Sequence, residues 1–324
     1  MFRRIVTAPD RRIEVRSEIA ALLPVDREAE VNVVATYFAG DAARRSAEAI
    51  ESELADSDLI VCDELDFGAM AMGVRAGMPV AVVSVITSGA LVRPARVADA
   101  LEQLRLELGV SEPLNYLGDR FVIPFAPVMR DPEFPPPPNA LWLRPDRGAM
   151  TDPDGSIVAT LGTEFNTESG DLFERIIGAL SELNAPAVLA VGRDLDPTRF
   201  GPTPSHIRVE QYVDFAELIP RANVVVHHGG SGLFVRSILG GASQLVLPMG
   251  ADQPFTADRV EALGVGAVLN SQTAGTADIA EHMAELLASG ETRARVLALR
   301  AETLDLPDPS AAVADLESLV ELRS

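Results

Sequence analysis

Asn223 to Gln253 reads NVVVHHGGSGLFVRSILGGASQLVLPMGADQ, and the order of residue types in it decides the fold class. Asn223–Val226 is a β-branched apolar run, the pattern of a buried strand. His227-His228-Gly229-Gly230-Ser231-Gly232 follows as a tight loop without bulk. Apolar residues at helical spacing over Leu233–Leu239 predict a helix that opens at about Ser231 and closes at Gly240-Gly241. Ser243–Leu247 predicts the next strand. Strand, glycine loop, helix and strand make a βαβ unit, with its loop at the carboxyl edge of a parallel sheet, where open α/β sheets bind ligands.

The chemistry of this loop favours an anion. The first turn of a helix carries unpaired N–H groups and a partial positive charge. Glycines let a phosphate approach the backbone, and an imidazole beside them can donate one more hydrogen bond. A plain tight turn would need neither the two histidines nor the serine. A dinucleotide fingerprint is excluded, because Gly230-x-Gly232 would require glycine where Val235 stands. A nucleophile elbow is excluded too, because Leu233 follows Gly229-Gly230-Ser231-Gly232. The His228-Gly229-Gly230 run could imitate an esterase oxyanion loop, but no G-x-S-x-G accompanies it.

His227–Leu233, followed by Leu247-Pro248-Met249-Gly250-Ala251-Asp252-Gln253, resembles the donor-binding signature of family 1 GT-B glycosyltransferases, and most of all the bacterial branch that decorates macrolides and polyketides. The resemblance implies two Rossmann-like parallel-sheet domains of α/β class with the substrates in the cleft between them. It implies that His227, with His228 and the backbone of Gly229, Gly230, Ser231 and Gly232, holds a nucleotide diphosphate. By the same resemblance Asp252 and Gln253 bind sugar hydroxyls, Thr163 of Gly162-Thr163 lines the cleft, and Val213 after Tyr212 reads the base. Leu233 and Thr256 depart from the threonine and asparagine common at those places.

The chain has 324 residues, room for about two domains. It is 47% hydrophobic, with a formal net charge of −21. All 27 basic residues are arginine. So acidic a chain is a poor partner for nucleic acid or an anionic membrane, and an anion site in it must be positive locally. One cysteine, Cys62, excludes an internal disulfide. No segment has the length of a membrane span and no apolar signal region opens the chain, so a cytoplasmic location is expected.

Before the glycine loop the pattern is weaker. Short strands at 2–6 and 12–15 compete with irregular chain, and 30–38 reads as strand or helix. A helix is expected over 42–54, a strand over 59–62, a helix over 69–76 closed by Gly77, a strand over 79–85 and a helix over 97–108. The carboxylates Asp63 and Asp66 follow the strand at 59–62. One can cap the next helix; the family resemblance implies that Asp63 orients a catalytic base. The Pro-rich stretch 121–147, with four consecutive prolines at Pro135–Pro138, predicts a stiff linker at about 135–152. Strands are then expected at 156–161, 187–191 and 207–210, and helices at 169–183, 214–218, 255–263, 276–287, 292–304 and 309–322.

These readings divide the chain into an acceptor-side domain at 1–140, a donor domain at 141–308 and a terminal helix at 309–324 that the resemblance carries back to the first domain. Asp152-Pro153-Asp154 and Asp194-Leu195-Asp196 match the Asp-x-Asp pair of metal-dependent transferases, but both sit among turn residues, and no metal or cofactor is expected beyond the co-substrate. Family members open with a strand and a Gly-His-x-x-Pro loop that carries the base. All four histidines here, His206, His227, His228 and His282, come later. A first domain incomplete at its N-terminus is therefore expected, short of at least one βαβ unit of roughly 30 residues, and its open edge predicts self-association. The expected function is inverting transfer of a hexose or deoxyhexose from a UDP- or TDP-sugar to a hydroxyl of a small lipophilic acceptor. The alternatives are a donor-binding relic or accessory protein without a base, and a nucleotide-sugar epimerase.

Overall fold

The computed structural model describes residues 18–145 and 148–321. They form two units, 27–145 with 305–321, and 18–26 with 148–304. The short strands expected at 2–6 and 12–15 lie outside the described residues.

The first unit opens with helix α1 (Arg27–Val33), a wider π-helical stretch Val34–Ala42, and helix α2 (Ala43–Ile50). The segment 30–38 is thus helical. Strand β1 (Ile60–Asp63), helix α3 (Phe67–Ala76), strand β2 (Val80–Val83), helix α4 (Pro94–Glu107), strand β3 (Arg120–Ile123) and strand β4 (Ala140–Trp142) follow. The four strands form a parallel sheet in the order β1-β2-β3-β4. Asp66 caps α3 by accepting the Ala69 amide at 3.0 Å, and Gly77 ends the helix at φ +65°. Gly68 faces the Ala43 backbone so closely that no side chain would fit, which lets α2 and α3 pack through Ala47, Ile50, Ala69 and Met72.

Strands β3 and β4 both fall in the stretch read as Pro-rich, and β4 begins just after the four prolines, inside the expected linker. The Pro135–Pro138 run is a loop feeding an edge strand, a place where missing N–H donors cost nothing. The terminal helix α11 (Ala311–Glu321; the helices between are given below) packs Ala312 and Leu316 against Val122, Leu141 and Leu143. Asp315 receives Arg120 through two bonds of 2.5 and 2.8 Å, and Arg144 pairs with Asp308.

The second unit alternates strand and helix: β5 (Ser156–Thr160), α5 (Leu172–Glu182), β6 (Ala187–Ala190), β7 (Ile207–Glu210), α6 (Phe215–Leu218), β8 (Ala222–His227), α7 (Ser231–Gly240), β9 (Ser243–Val246), α8 (Gln253–Leu263), β10 (Gly266–Val268), α9 (Thr276–Ala288) and α10 (Gly290–Leu304). All six strands are parallel, in the order β10-β9-β8-β5-β6-β7. Strand β10 occupies the end of what reads as a turn at Gly264–Gly266. Successive residues of β5 face opposite layers. Ile157 and Ala159 join Phe173, Ile176, Ile279 and Met283 on one side, and Val158 joins Val225, Ile219 and Ala242 on the other. Burial on both faces explains why the strands read as continuous apolar runs.

The order places a topological switch beside β5. From β5 the chain moves outward through β6 and β7, then returns by β8 to the other side of β5. Ligands of open α/β sheets sit at the carboxyl edge of such a switch. Here Thr160 of β5 and His227 of β8 are register partners, so the loops that follow them, starting at Leu161 and His228, emerge side by side.

Candidate functional site

The two adjacent histidines separate at the end of β8. Because side chains alternate along a strand, His227 turns into the layer below the loop, where it is fully buried. Its Nδ1 accepts the Gly229 amide at 3.1 Å, and its Nε2 lies 2.9 Å from Gln244 Oε1. That pairing fixes the tautomer with the proton on Nε2, which donates to the Gln244 carbonyl oxygen. Burial lowers its pKa to about 4, against the opposing bond to Gln244, so the ring is neutral at neutral pH. Both ring nitrogens are spent inside the protein. His227, the residue expected to hold a diphosphate, supports the glycine loop from beneath with these two bonds.

His228 faces the loop. Its Nδ1 is buried and has no hydrogen-bond partner. Burial, and then the neighbouring His227, lower its pKa to about 3. Glycines leave room for this ring on two sides. A Cβ at Gly162 would lie 2.6 Å from its Cε1, and one at Gly230 would lie 2.7 Å from its Nε2. Gly162 and Gly229 also hold φ of +80° and +97°, which disfavour any side chain. The structure thus brings Gly162, His228, Gly229 and Gly230 together, with Ser231 and Gly232 opening α7 beside them.

Asp252 and Gln253 close the same site from the loop after β9. Asp252 Oδ2 accepts the Ser231 hydroxyl at 2.6 Å and the Ser231 amide at 3.4 Å, which ties the two loops. Burial raises the Asp252 carboxyl above its ordinary value, with the Ser231 bonds opposing. Gln253 Oε1 accepts the Met249 and Gly250 amides at 2.8 and 3.1 Å. Ala251, just before, is the one non-glycine residue at positive φ among the described residues, at +52°. Such strain clusters at ligand sites because the surrounding bonds impose it.

Thr163 is exposed on the loop after β5, next in sequence to Gly162. Val213 is half-buried against the Val158–Val225 layer, and Tyr212 before it is 62% exposed under the Arg193 guanidinium, 4.8 Å from the ring centre. Asp214 caps α6 by accepting the Ala216 amide at 2.8 Å. Of the two Asp-x-Asp matches, Asp196 accepts the Thr198 amide and hydroxyl, and Asp154 accepts the Ser156 amide. Both are turn residues.

In the first unit, Asp63 is exposed at the end of β1 and accepts the Leu65 amide at 2.8 Å. Partial desolvation raises its carboxyl, with that bond opposing. The sequence reading passed over Glu64 between the two aspartates, yet it is buried and its Oε1 accepts Ser84 Oγ, Val85 N and Ile86 N at 2.9, 2.7 and 2.6 Å. Gln244 was missed as well. Its signal was a polar residue inside the apolar run SQLV, which a buried strand tolerates only with a partner.

The two parallel-sheet units and the loops at the carboxyl edge of the second define a fold of GT-B type. Residues 174–319 match the family described as Erythromycin biosynthesis protein CIII-like, C-terminal domain. TDP-daunosamine transferase DnrS of Streptomyces peucetius is 31% identical over 183 residues, 55% of this chain and 41% of that protein. L-demethylnoviosyl transferase of Streptomyces niveus is 25% identical over 280 residues, 78% of this chain and 69% of that one. Among solved structures, glycosyltransferase VinC in complex with DTDP superposes with a TM-score of 0.71 at 20% identity, over 92% of this chain and 82% of that one. The chain is related to bacterial natural-product glycosyltransferases and has their fold. It spans about two-fifths of the length of the first curated relatives it matches. Among the described residues no helix is long and apolar enough to cross a membrane.

Proposed function

We propose that the protein transfers a hexose or deoxyhexose from a UDP- or TDP-sugar to a hydroxyl of a small lipophilic acceptor, with inversion at the anomeric carbon. The observation that carries this reading is the unpartnered His228 ring, held between two glycines at the N-terminus of α7 and at the switch point of a parallel sheet. With its proton on the unpartnered Nδ1, His228 offers one donor, and the first-turn amides of α7 offer more, to a diphosphate. Asp252 and Gln253 would take sugar hydroxyls, and Val213 would take the base. The sugar enters as donor, the acceptor oxygen attacks the anomeric carbon, and the carbon–diphosphate bond breaks with its charge received by fixed dipoles. Relatives named as TDP-daunosamine and L-demethylnoviosyl transferases support the class of donor.

The acceptor proton needs a base. We assign that role to Asp63, an exposed carboxylate whose pKa is raised by partial desolvation, because Asp66 is committed to capping α3. Removal of a general base costs about 10²–10⁴ in rate, so Asp63→Asn is expected to slow transfer by a factor of that order. The test is a product assay with TDP- and UDP-sugars against a panel of phenolic and macrolide acceptors. Glycoside formation that Asp63→Asn slows by that factor is expected. Fast turnover insensitive to Asp63→Asn would show that a different group takes the proton. Release of rearranged sugar without glycoside would favour an epimerase.

A further inference from the structure

The first unit contains a cavity of about 300 Å³ that none of the donor-site residues lines. Tyr116, Phe121, Phe134, Pro135 and Pro137 give it flat apolar walls. Three carboxylate or guanidinium side chains reach it: Glu64, Arg130 and Glu133. Arg130 is only 9% exposed, and its Nη1 is buried without a hydrogen-bond partner. Buried guanidinium N–H groups are normally paired, so this donor is available to a ligand.

The guanidinium is held firmly. Its Nε donates to the Phe134 carbonyl at 2.9 Å, and its centre lies 5.9 Å from the Phe121 ring centre. Gly89, at φ +70°, makes the space: a Cβ there would fall less than 3.0 Å from the guanidinium. Glu64 lines the same cavity, its Oε1 fixed by the three donors of Ser84, Val85 and Ile86. The free N–H on Arg130 selects an acceptor oxygen on a ligand. Glu133 on the wall weighs against phosphates and other multiply charged groups.

We propose that this cavity binds a flat ring compound bearing a carbonyl or carboxylate oxygen, which Arg130 Nη1 receives. Binding stands on the cavity itself; only the ligand's role as sugar acceptor rests on the transferase reading. Arg130 is then the residue that sets specificity for oxygenated rings.

The test uses three probes of one shape: naphthalene-2-carboxylate, 2-acetylnaphthalene and 2-methylnaphthalene, titrated calorimetrically into the full chain, with TDP as a separate titrant. The two oxygenated probes are expected to bind at least about ten-fold more tightly than the hydrocarbon, the effect of one hydrogen bond to a charged donor. Arg130→Met is expected to erase that difference. Leu117→Trp, which adds bulk to the cavity wall and leaves Arg130 in the chain, is expected to abolish binding of all three. If Arg130→Met fails to fold by circular dichroism, Leu117→Trp decides, and full probe affinity in folded Leu117→Trp overturns the proposal. Equal binding of the three probes, or none, by the unaltered chain also overturns it. TDP binding without probe binding removes this site and leaves the transferase reading intact; probe binding without TDP binding does the reverse.

Discussion

His227 accepts the Gly229 amide and bonds Gln244, while His228, one residue on, keeps a buried Nδ1 without a partner. The alternation of a strand makes this division, and it gives one ring a structural task and leaves the other a nitrogen without one. Asp252 shows the same economy at a single carboxylate. Oδ2 is committed to Ser231, so Asp252 shapes the glycine loop as well as facing the site. Removing it is therefore expected to weaken bare TDP somewhat and a TDP-sugar more. For Asp252→Ala the dissociation constant of the sugar nucleotide is expected to rise about ten-fold beyond that of TDP, one lost charge-assisted hydrogen bond. Equal losses for both ligands, measured by calorimetry, would make Asp252 a purely structural tie.

Elements with strong local signals were legible in the sequence. The glycine loop, β8, α7 and β9 follow from one run of apolar residues and glycines, because a parallel strand buried on both faces and a helix closed by Gly241 at φ +76° leave few alternatives. Asp66 as the cap of α3 and Gly77 as its end read equally directly. Strands β3, β4 and β10 did not. Each is only three or four residues long, β3 and β4 lie amid prolines, and β10 follows a glycine turn. Their pairing comes from neighbours distant in sequence, which local propensity does not contain. The site was legible as a loop but not as an arrangement: strand register sets which histidine turns inward, and one cavity brings together Glu64 and Arg130, 66 positions apart.

Across the whole molecule the charge is strongly negative, so an anionic co-substrate must be held by local donors rather than a basic surface. The buried histidines add a dependence on acid. Their folded pKa values, about 4 and about 3, lie below the ordinary 6.5. Between those limits the unfolded chain binds protons that the folded chain refuses, so stability is present above about pH 6.5 and is lost as pH falls towards 4. His227 alone accounts for up to about 3 kcal/mol of this loss. Asp252, with a raised pKa, acts in the opposite sense: its contribution is present at low pH and lost on rising through the folded value. The histidine effect is therefore clearest from about pH 6.5 to 5. Thermal midpoints are expected to fall as pH is lowered over that range, and a flat profile would mean that both rings take up protons in the folded protein as readily as in the unfolded chain.

The central claim is that the loop Gly229–Gly232, with His228, is a nucleoside-diphosphate site. Calorimetric titration of TDP and of UDP into the unaltered chain and into His228→Ala tests it most directly. Binding by the unaltered chain is predicted, together with a rise in dissociation constant of about 10- to 100-fold in a folded His228→Ala protein, as expected for one lost hydrogen bond to a charged group. Unchanged affinity in that variant, or no binding of either nucleotide to the unaltered chain, would contradict the account.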